Sequence, residues 1–171
     1  SVTSISRNAV NGCNNLNTLT VPFVGSGSGS YSHFGYIFGA SSYSSNSSYV
    51  PSSLSTVIIT GGSEIGDYAF YGCEYIRSIA LSQNTAYIGD YAFNGCSSLG
   101  EIAIPQGVTS IGQYAFSGCN AEIVWEGTPQ INDIGSYAFA GYLGTGLEIP
   151  SSVTSISRNA VNGCNNLNTL T

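Results

Sequence analysis

Residues 65–73 read IGDYAFYGC, and the phrase returns as IGDYAFNGC at 88–96, IGQYAFSGC at 111–119 and IGSYAFAGY at 134–142. Each copy begins 23 residues after the one before, and degenerate copies, ISRNAVNGC, begin at Ile5 and Ile156. Between phrases runs an alternating apolar segment closed by proline, as in Leu99, Ile102, Ile104, Pro105 or Leu16, Leu19, Val21, Pro22. Alternation is the period-2 mark of a strand with one buried face. Proline has no N–H to give a neighbour and ends the strand. A second short apolar pair follows (Val108 and Ile111), then a turn in which Gly72, Gly95 and Gly118 are free to take φ > 0. One such coil cannot bury its apolar face alone, whereas stacked coils share a continuous core. The pattern predicts a mainly β solenoid of short strands with tight turns or short helical pieces. It counts about six to seven stacked coils over a single unit, residues 1–171.

Stacking at this period sets side chains of one register above each other. Cys13, Cys73, Cys96, Cys119 and Cys164 share a register, as do Phe70, Phe93, Phe116 and Phe139. Both sets are expected as ladders in the core, the cysteines as small buried hydrophobes. Disulfides between adjacent coils also fit the stacking distance, but Tyr142 in a Cys slot argues that the slot needs bulk rather than a partner.

These phrases resemble the BspA-like leucine-rich repeats, with a pattern of roughly LxxIxIPxxVTxIGxxAFxxCxx, over residues 1–22 and 54–171. The chain departs from that pattern where Val10 and Val161 replace Phe, where Tyr142 replaces Cys, and between Pro22 and Leu54. The resemblance implies a right-handed solenoid with a sheet on one face. It also implies an extracellular or cell-surface protein that contacts host cells, matrix or other microbes.

Residues 23–53 hold the rewritten coil. HFGYIFGA, from His33 to Ala40, reads as a degenerate copy of the repeat phrase, preceded by a flexible GSGSGS run and followed by a Tyr/Ser-rich stretch. Insertions in repeat arrays map to loops on one face, often the binding face. Tyr31, Tyr36, Tyr43 and Tyr49 are the candidate binding residues, since rigid amphipathic rings beside small hydrogen-bonding residues suit recognition. Phe34, Ile37 and Phe38 are expected to cover the core instead, and Tyr43 and Tyr49 fit either role. Asn46-Ser-Ser is an N-glycosylation acceptor motif.

Composition removes several classes of function. With a net charge of −6, no lysine and three arginines, the chain has nothing to neutralise a run of phosphates, so no nucleic acid is expected. No apolar stretch is long enough for a membrane span. No metal or other cofactor is expected, because there is no CxxC and His33 is the single histidine. No catalytic residues are assigned: His33 lacks a nucleophile motif nearby. Asp67 and Asp90 recur at the repeat period, but Gln113 and Ser136 fill the same slot, which reads as an exposed turn position. Isopeptide cross-links need a lysine.

A longer period overlies the short one. Residues 1–20, SVTSISRNAVNGCNNLNTLT, recur letter for letter at 152–171. They read either as the 151-residue period of a long tandem array or as one duplicated capping segment. The lack of an initiator methionine is read as a piece of a mature protein. The resulting expectation is a structural and adhesive module that joins end to end with its own kind as array or filament. The alternative is a binding module for glycans or a partner protein through the 31–53 loop.

Overall fold

The computed structural model describes residues 2–27 and 33–171. Its strands, in chain order, are β1 (Thr18–Val21), β2 (Thr56–Ile59), β3 (Glu64–Ile65), β4 (Ser78–Ala80), β5 (Tyr87–Ile88), β6 (Glu101–Ile104), β7 (Ser110–Ile111), β8 (Glu122–Trp125), β9 (Asp133–Ile134), β10 (Gly146–Leu147), β11 (Ser155–Ile156) and β12 (Thr169–Leu170). They form two parallel five-stranded sheets, β1-β2-β4-β6-β8 and β3-β5-β7-β9-β11, and a pair, β10-β12. Parallel strands of successive coils pair in register, with Ile65, Ile88, Ile111, Ile134 and Ile156 forming one ladder. The fold is the parallel β solenoid that the period predicts.

Alternation does its expected work. Val57 and Ile59 of β2, and Ile102 and Ile104 of β6, point inward and are buried. Each such side chain contributes about 1.5–3 kcal/mol by leaving water. The phenylalanine ladder runs through the core with ring centroids 5.5, 5.1 and 5.5 Å apart from Phe70 to Phe139. Phe34 extends it at 4.9 Å from Phe70, so the rewritten coil completes the core rather than interrupting it. Cys73, Cys96 and Cys119 are buried and all five cysteines are free thiols, but Cys13, placed in the ladder by its register, is exposed, and Cys164 is half-buried. Both lie in the outermost described coils, where stacking covers one side only.

The sequence count of six to seven coils is high. Each continuous sheet holds five strands, so the regular solenoid has about five turns. The first sheet ends at β8, and β10 pairs only with β12. Tyr142 stands just before the break, in a coil one residue shorter than those before it, with 22 residues from Ile134 to Ile156. It fills the Cys slot at 1% exposure, and a side chain at Gly144 would collide with its ring. Beside β10 lies a cleft of about 240 Å³ lined by Glu122, Ile123, Gly146, Leu147, Glu148, Thr169 and Thr171. Trp125 Nε1–H bridges the gap to the Glu148 carbonyl at 2.9 Å.

Coils approach most closely at the glycine that opens the phrase. A Cβ on Gly89 or Gly112 would lie 2.6 Å from the backbone nitrogen of Asp67 or Asp90 in the preceding coil. At these two positions a side chain would force the neighbouring backbone to shift.

Candidate functional site

The tyrosine of each repeat phrase stands on the turn between the two sheets. Tyr68, Tyr91, Tyr114 and Tyr137 all take the left-handed conformation, with φ of 57, 57, 54 and 58°. That region costs an L-residue with a bulky side chain about 1–2 kcal/mol. The conformation aims each amide at the next coil: Tyr68 N–H donates to Asp90 O, Tyr91 N–H to Gln113 O, Tyr114 N–H to Ser136 O and Tyr137 N–H to Arg158 O, at 2.8–3.2 Å. It also turns the rings face to face. Centroids lie 4.9, 4.9 and 4.7 Å apart and ring planes differ by 5, 15 and 2°. Aromatic contacts of this kind add about 0.5–1.5 kcal/mol per pair beyond their burial, which offsets the backbone strain.

The result is a half-buried ribbon of phenol rings along the outside of the solenoid, parallel to the phenylalanine ladder within. Burial, then the neighbouring phenols Tyr43 and Tyr91, and then Asp67 and Asp90, push the Tyr68 hydroxyl above its ordinary pKa. Tyr114 is raised for the same first reason and by Tyr137 and Tyr91. Both hydroxyls therefore stay neutral donors. Ring faces inside the ribbon are taken up by each other, so a ligand meets ring edges and hydroxyls. Asp67 and Asp90 do not face each other as an acid pair. Each is half-buried and spends an oxygen on the next coil, Asp67 Oδ1 accepting from Asp90 N–H at 2.9 Å and Asp90 Oδ1 from Gln113 N–H at 2.7 Å.

The insert continues the ribbon. Tyr43 lies in a short 3-10 turn (Tyr43–Ser45) and stacks on Tyr68 at 3.9 Å, with Tyr71 edge-on at 5.4 Å. Its placement depends on Asn46, the first residue of α1 (Asn46–Tyr49) and fully buried. Asn46 Oδ1 accepts from His33 Nδ1–H and Gly35 N–H, both at 2.9 Å, and its Nδ2 donates to Tyr71 O at 3.1 Å. One amide thus holds together the 3-10 helix Phe34–Phe38, α1 and the next coil. Asn46 is therefore closed to a glycosyltransferase in the folded chain. His33 is buried as well, and desolvation lowers its pKa, the Asn46 bond opposing and Arg7 adding to the shift.

Of the four tyrosines singled out from the sequence, Tyr43 and Tyr49 are exposed, at 39 and 47%. Tyr36 is half-buried, edge-on to His33 at 6.2 Å. Tyr31 lies outside the described residues. Of the three described, Tyr43 alone joins the ribbon. The sequence reading passed over Tyr68, Tyr91, Tyr114 and Tyr137, although a signal was there. Asn8 and Asn159 replace tyrosine in the degenerate phrases and have φ of 66 and 57°, and asparagine is the side chain that best tolerates that region. Asn159 Nδ2–H caps the ribbon by donating to the Tyr137 hydroxyl at 2.6 Å. Among the described residues no cluster of His, Cys, Asp and Glu could hold a metal ion, and no helix is long and apolar enough to cross a membrane.

The BspA type leucine rich repeat region matches residues 42–168 in six copies, more than half of the chain. The chain belongs to the BspA type leucine-rich repeat family. Solved leucine-rich repeat proteins have the same architecture. A leucine-rich repeat protein from Bacteroides ovatus is 32% identical with a TM-score of 0.63, over 68% of this chain and 33% of that one. The leucine-rich repeat protein of T. pallidum is 26% identical, TM-score 0.59, over 67% of this chain and 57% of that one. A leucine rich cell surface protein from Faecalibacterium prausnitzii shares the fold at 23% identity and a TM-score of 0.57, over the whole chain and 55% of that protein. The BspA-type chain thus spans between a third and just over half of the length of these proteins. No curated protein matches it.

Proposed function

We propose that this BspA-type chain is an extracellular, cell-surface structural and adhesive unit. Its contact face is the tyrosine ribbon together with the exposed insert residues Tyr43 and Tyr49. The observation that carries the reading is the continuation of the ribbon by Tyr43, which couples the repeat surface to the insert. The name of the Faecalibacterium relative supports the location. Charged residues are only 7% of the chain, so the partner is neutral, and hydroxyls at the coil spacing suit a repetitive glycan. No catalytic role and no cofactor is proposed. In its parent protein the unit joins end to end with its own kind, 151 residues per unit.

A second reading, a dedicated binding module for a partner protein, is favoured by the exposure of Tyr49, which stands off the ribbon at the end of α1. Binding of the chain to immobilised neutral glycans and to matrix proteins, with Tyr43→Ser and Tyr49→Ser compared, tests both. Loss on glycans with Tyr43→Ser supports the ribbon. Loss confined to a protein ligand with Tyr49→Ser supports the second reading. Unchanged binding in both variants removes the insert from the contact face.

A further inference from the structure

Five phenols stand in one continuous row along the solenoid. Tyr43 lies 3.9 Å from Tyr68, and Tyr91, Tyr114 and Tyr137 follow at 4.9, 4.9 and 4.7 Å, with adjacent ring planes no more than 20° apart. Rings this close share their π faces along the whole row, so an electron removed from one phenol is replaced from the next. The row has an entry from solvent. Tyr43 is exposed, while the four phrase tyrosines are half-buried.

An oxidant meets few competing targets in these coils. The chain has no methionine. Burial pushes the thiols of Cys73, Cys96 and Cys119 well above their ordinary pKa, so the thiolate that oxidants attack is absent there. Other covalent ties between coils are missing as well. All five cysteines are free thiols, and without lysine no isopeptide bond forms within the chain.

The pair placed to react is Tyr43 with Tyr68. Tyr91 and Tyr114 have a ring on each face, and all four phrase tyrosines are held by left-handed backbone and an amide bond to the next coil. Tyr43 lies in a 3-10 turn without positive φ. Its exposed ring can tilt until a carbon ortho to its hydroxyl meets the matching carbon of Tyr68. We propose that the ribbon is an oxidative modification site, at which hydrogen peroxide, acting through a peroxidase, joins Tyr43 and Tyr68 as dityrosine. Each phenol gives one electron to the oxidant and its hydroxyl proton to water. The two radicals form a carbon–carbon bond between ring positions ortho to oxygen, and the hydrogens on those carbons return to the oxygens as the rings regain aromaticity. Two tyrosines and one hydrogen peroxide thus give one dityrosine and two waters. Tyr91, Tyr114 and Tyr137 collect oxidising equivalents and pass them to the pair. The bond ties the insert to the first full repeat phrase, whatever the ribbon contacts, and closes residues 43–68 into a loop, which removes entropy from the unfolded chain.

The test treats the full chain, its accessible thiols first blocked with iodoacetamide, with a haem peroxidase and equimolar hydrogen peroxide at low protein concentration. The monomer is isolated by size exclusion and its dityrosine fluorescence is read. Trypsin with a glutamate-specific protease, cutting after Arg7, Glu64 and Glu74, then separates residues 8–64 from residues 65–74. The expected monomer fluoresces as dityrosine, is lighter by two hydrogen atoms, keeps these two peptides joined, and unfolds at a higher urea concentration than the untreated chain. Tyr43→Phe and Tyr68→Phe keep a ring in the stack and abolish the fluorescence and the joined peptides, whereas Tyr71→Phe retains both. A monomer without dityrosine, or dityrosine confined to covalent dimers, overturns the proposal. So does a joined peptide pair that persists in Tyr68→Phe and is lost in Tyr71→Phe, which places the bond on the edge-on ring instead.

Discussion

Tyr91 is the place where backbone strain and ring stacking can be weighed against each other. It has φ of 57° and rings at 4.9 Å on either side, Tyr68 and Tyr114. Tyr91→Ala removes both stacked rings, at about 1 kcal/mol each, and keeps the left-handed strain, for a loss of about 2 kcal/mol. Tyr91→Asn removes the same stacking but relieves about 1 kcal/mol of strain, for a loss of about 1 kcal/mol. The amide bond to Gln113 O survives in both. With a urea m-value of about 2 kcal/mol/M, the unfolding midpoint falls by about 1 M for alanine and about 0.5 M for asparagine. Circular dichroism at fixed pH measures both midpoints. An asparagine variant no more stable than the alanine variant refutes the balance on which the ribbon rests.

Gly112→Ala places a Cβ 2.6 Å from the Asp90 backbone nitrogen. Overpacking against backbone is expected to cost about 3 kcal/mol, seen as a matching fall in denaturation midpoint. The lowered His33 pKa means the unfolded chain binds more protons. The associated stability is full above about pH 6.5 and is lost as pH falls from there through the folded value. His33→Gln flattens that limb of the melting-temperature profile. Burial pushes the Cys119 thiol up to about 12 and Cys96 well above its ordinary value, so iodoacetamide at pH 8 labels exposed Cys13 and leaves Cys96 and Cys119 unmodified until unfolding. Asn46→Ala strands the His33 and Gly35 donors and costs about 2–3 kcal/mol. It also frees Tyr43 from Tyr68, read as increased tyrosine quenching by acrylamide.

The solenoid was legible because stacking forces one register on every coil, and a 23-residue period in Ile, Gly, Ala and Phe leaves no other way to bury them. Phe34 and Phe38 were legible as core because their size and apolarity decide their place. The coil count was not, since the coil after Tyr142 is one residue short, with 22 residues from Ile134 to Ile156 against 23 in the copies before it, and its strand β10 leaves the first sheet. The role of Asn46 was not legible for a related reason. A three-residue motif carries no information about burial, and the bonds that enclose this amide come from Gly35, His33 and Tyr71. The ribbon was missed because tyrosine in a turn reads as a space-filling residue until its backbone conformation is known.

The claim that the ribbon is a contact face is tested most directly by tyrosine nitration with tetranitromethane on the chain alone and on the chain bound to a surface or glycan that retains it. Tyr75, exposed at 44% and outside every ring contact of the ribbon, is an internal control. Protection of Tyr43, Tyr68, Tyr91, Tyr114 and Tyr137 on binding, with Tyr75 modified at its original rate, is the predicted result. Equal nitration of the ribbon in the free and bound states, or protection of Tyr75 alone, contradicts the account.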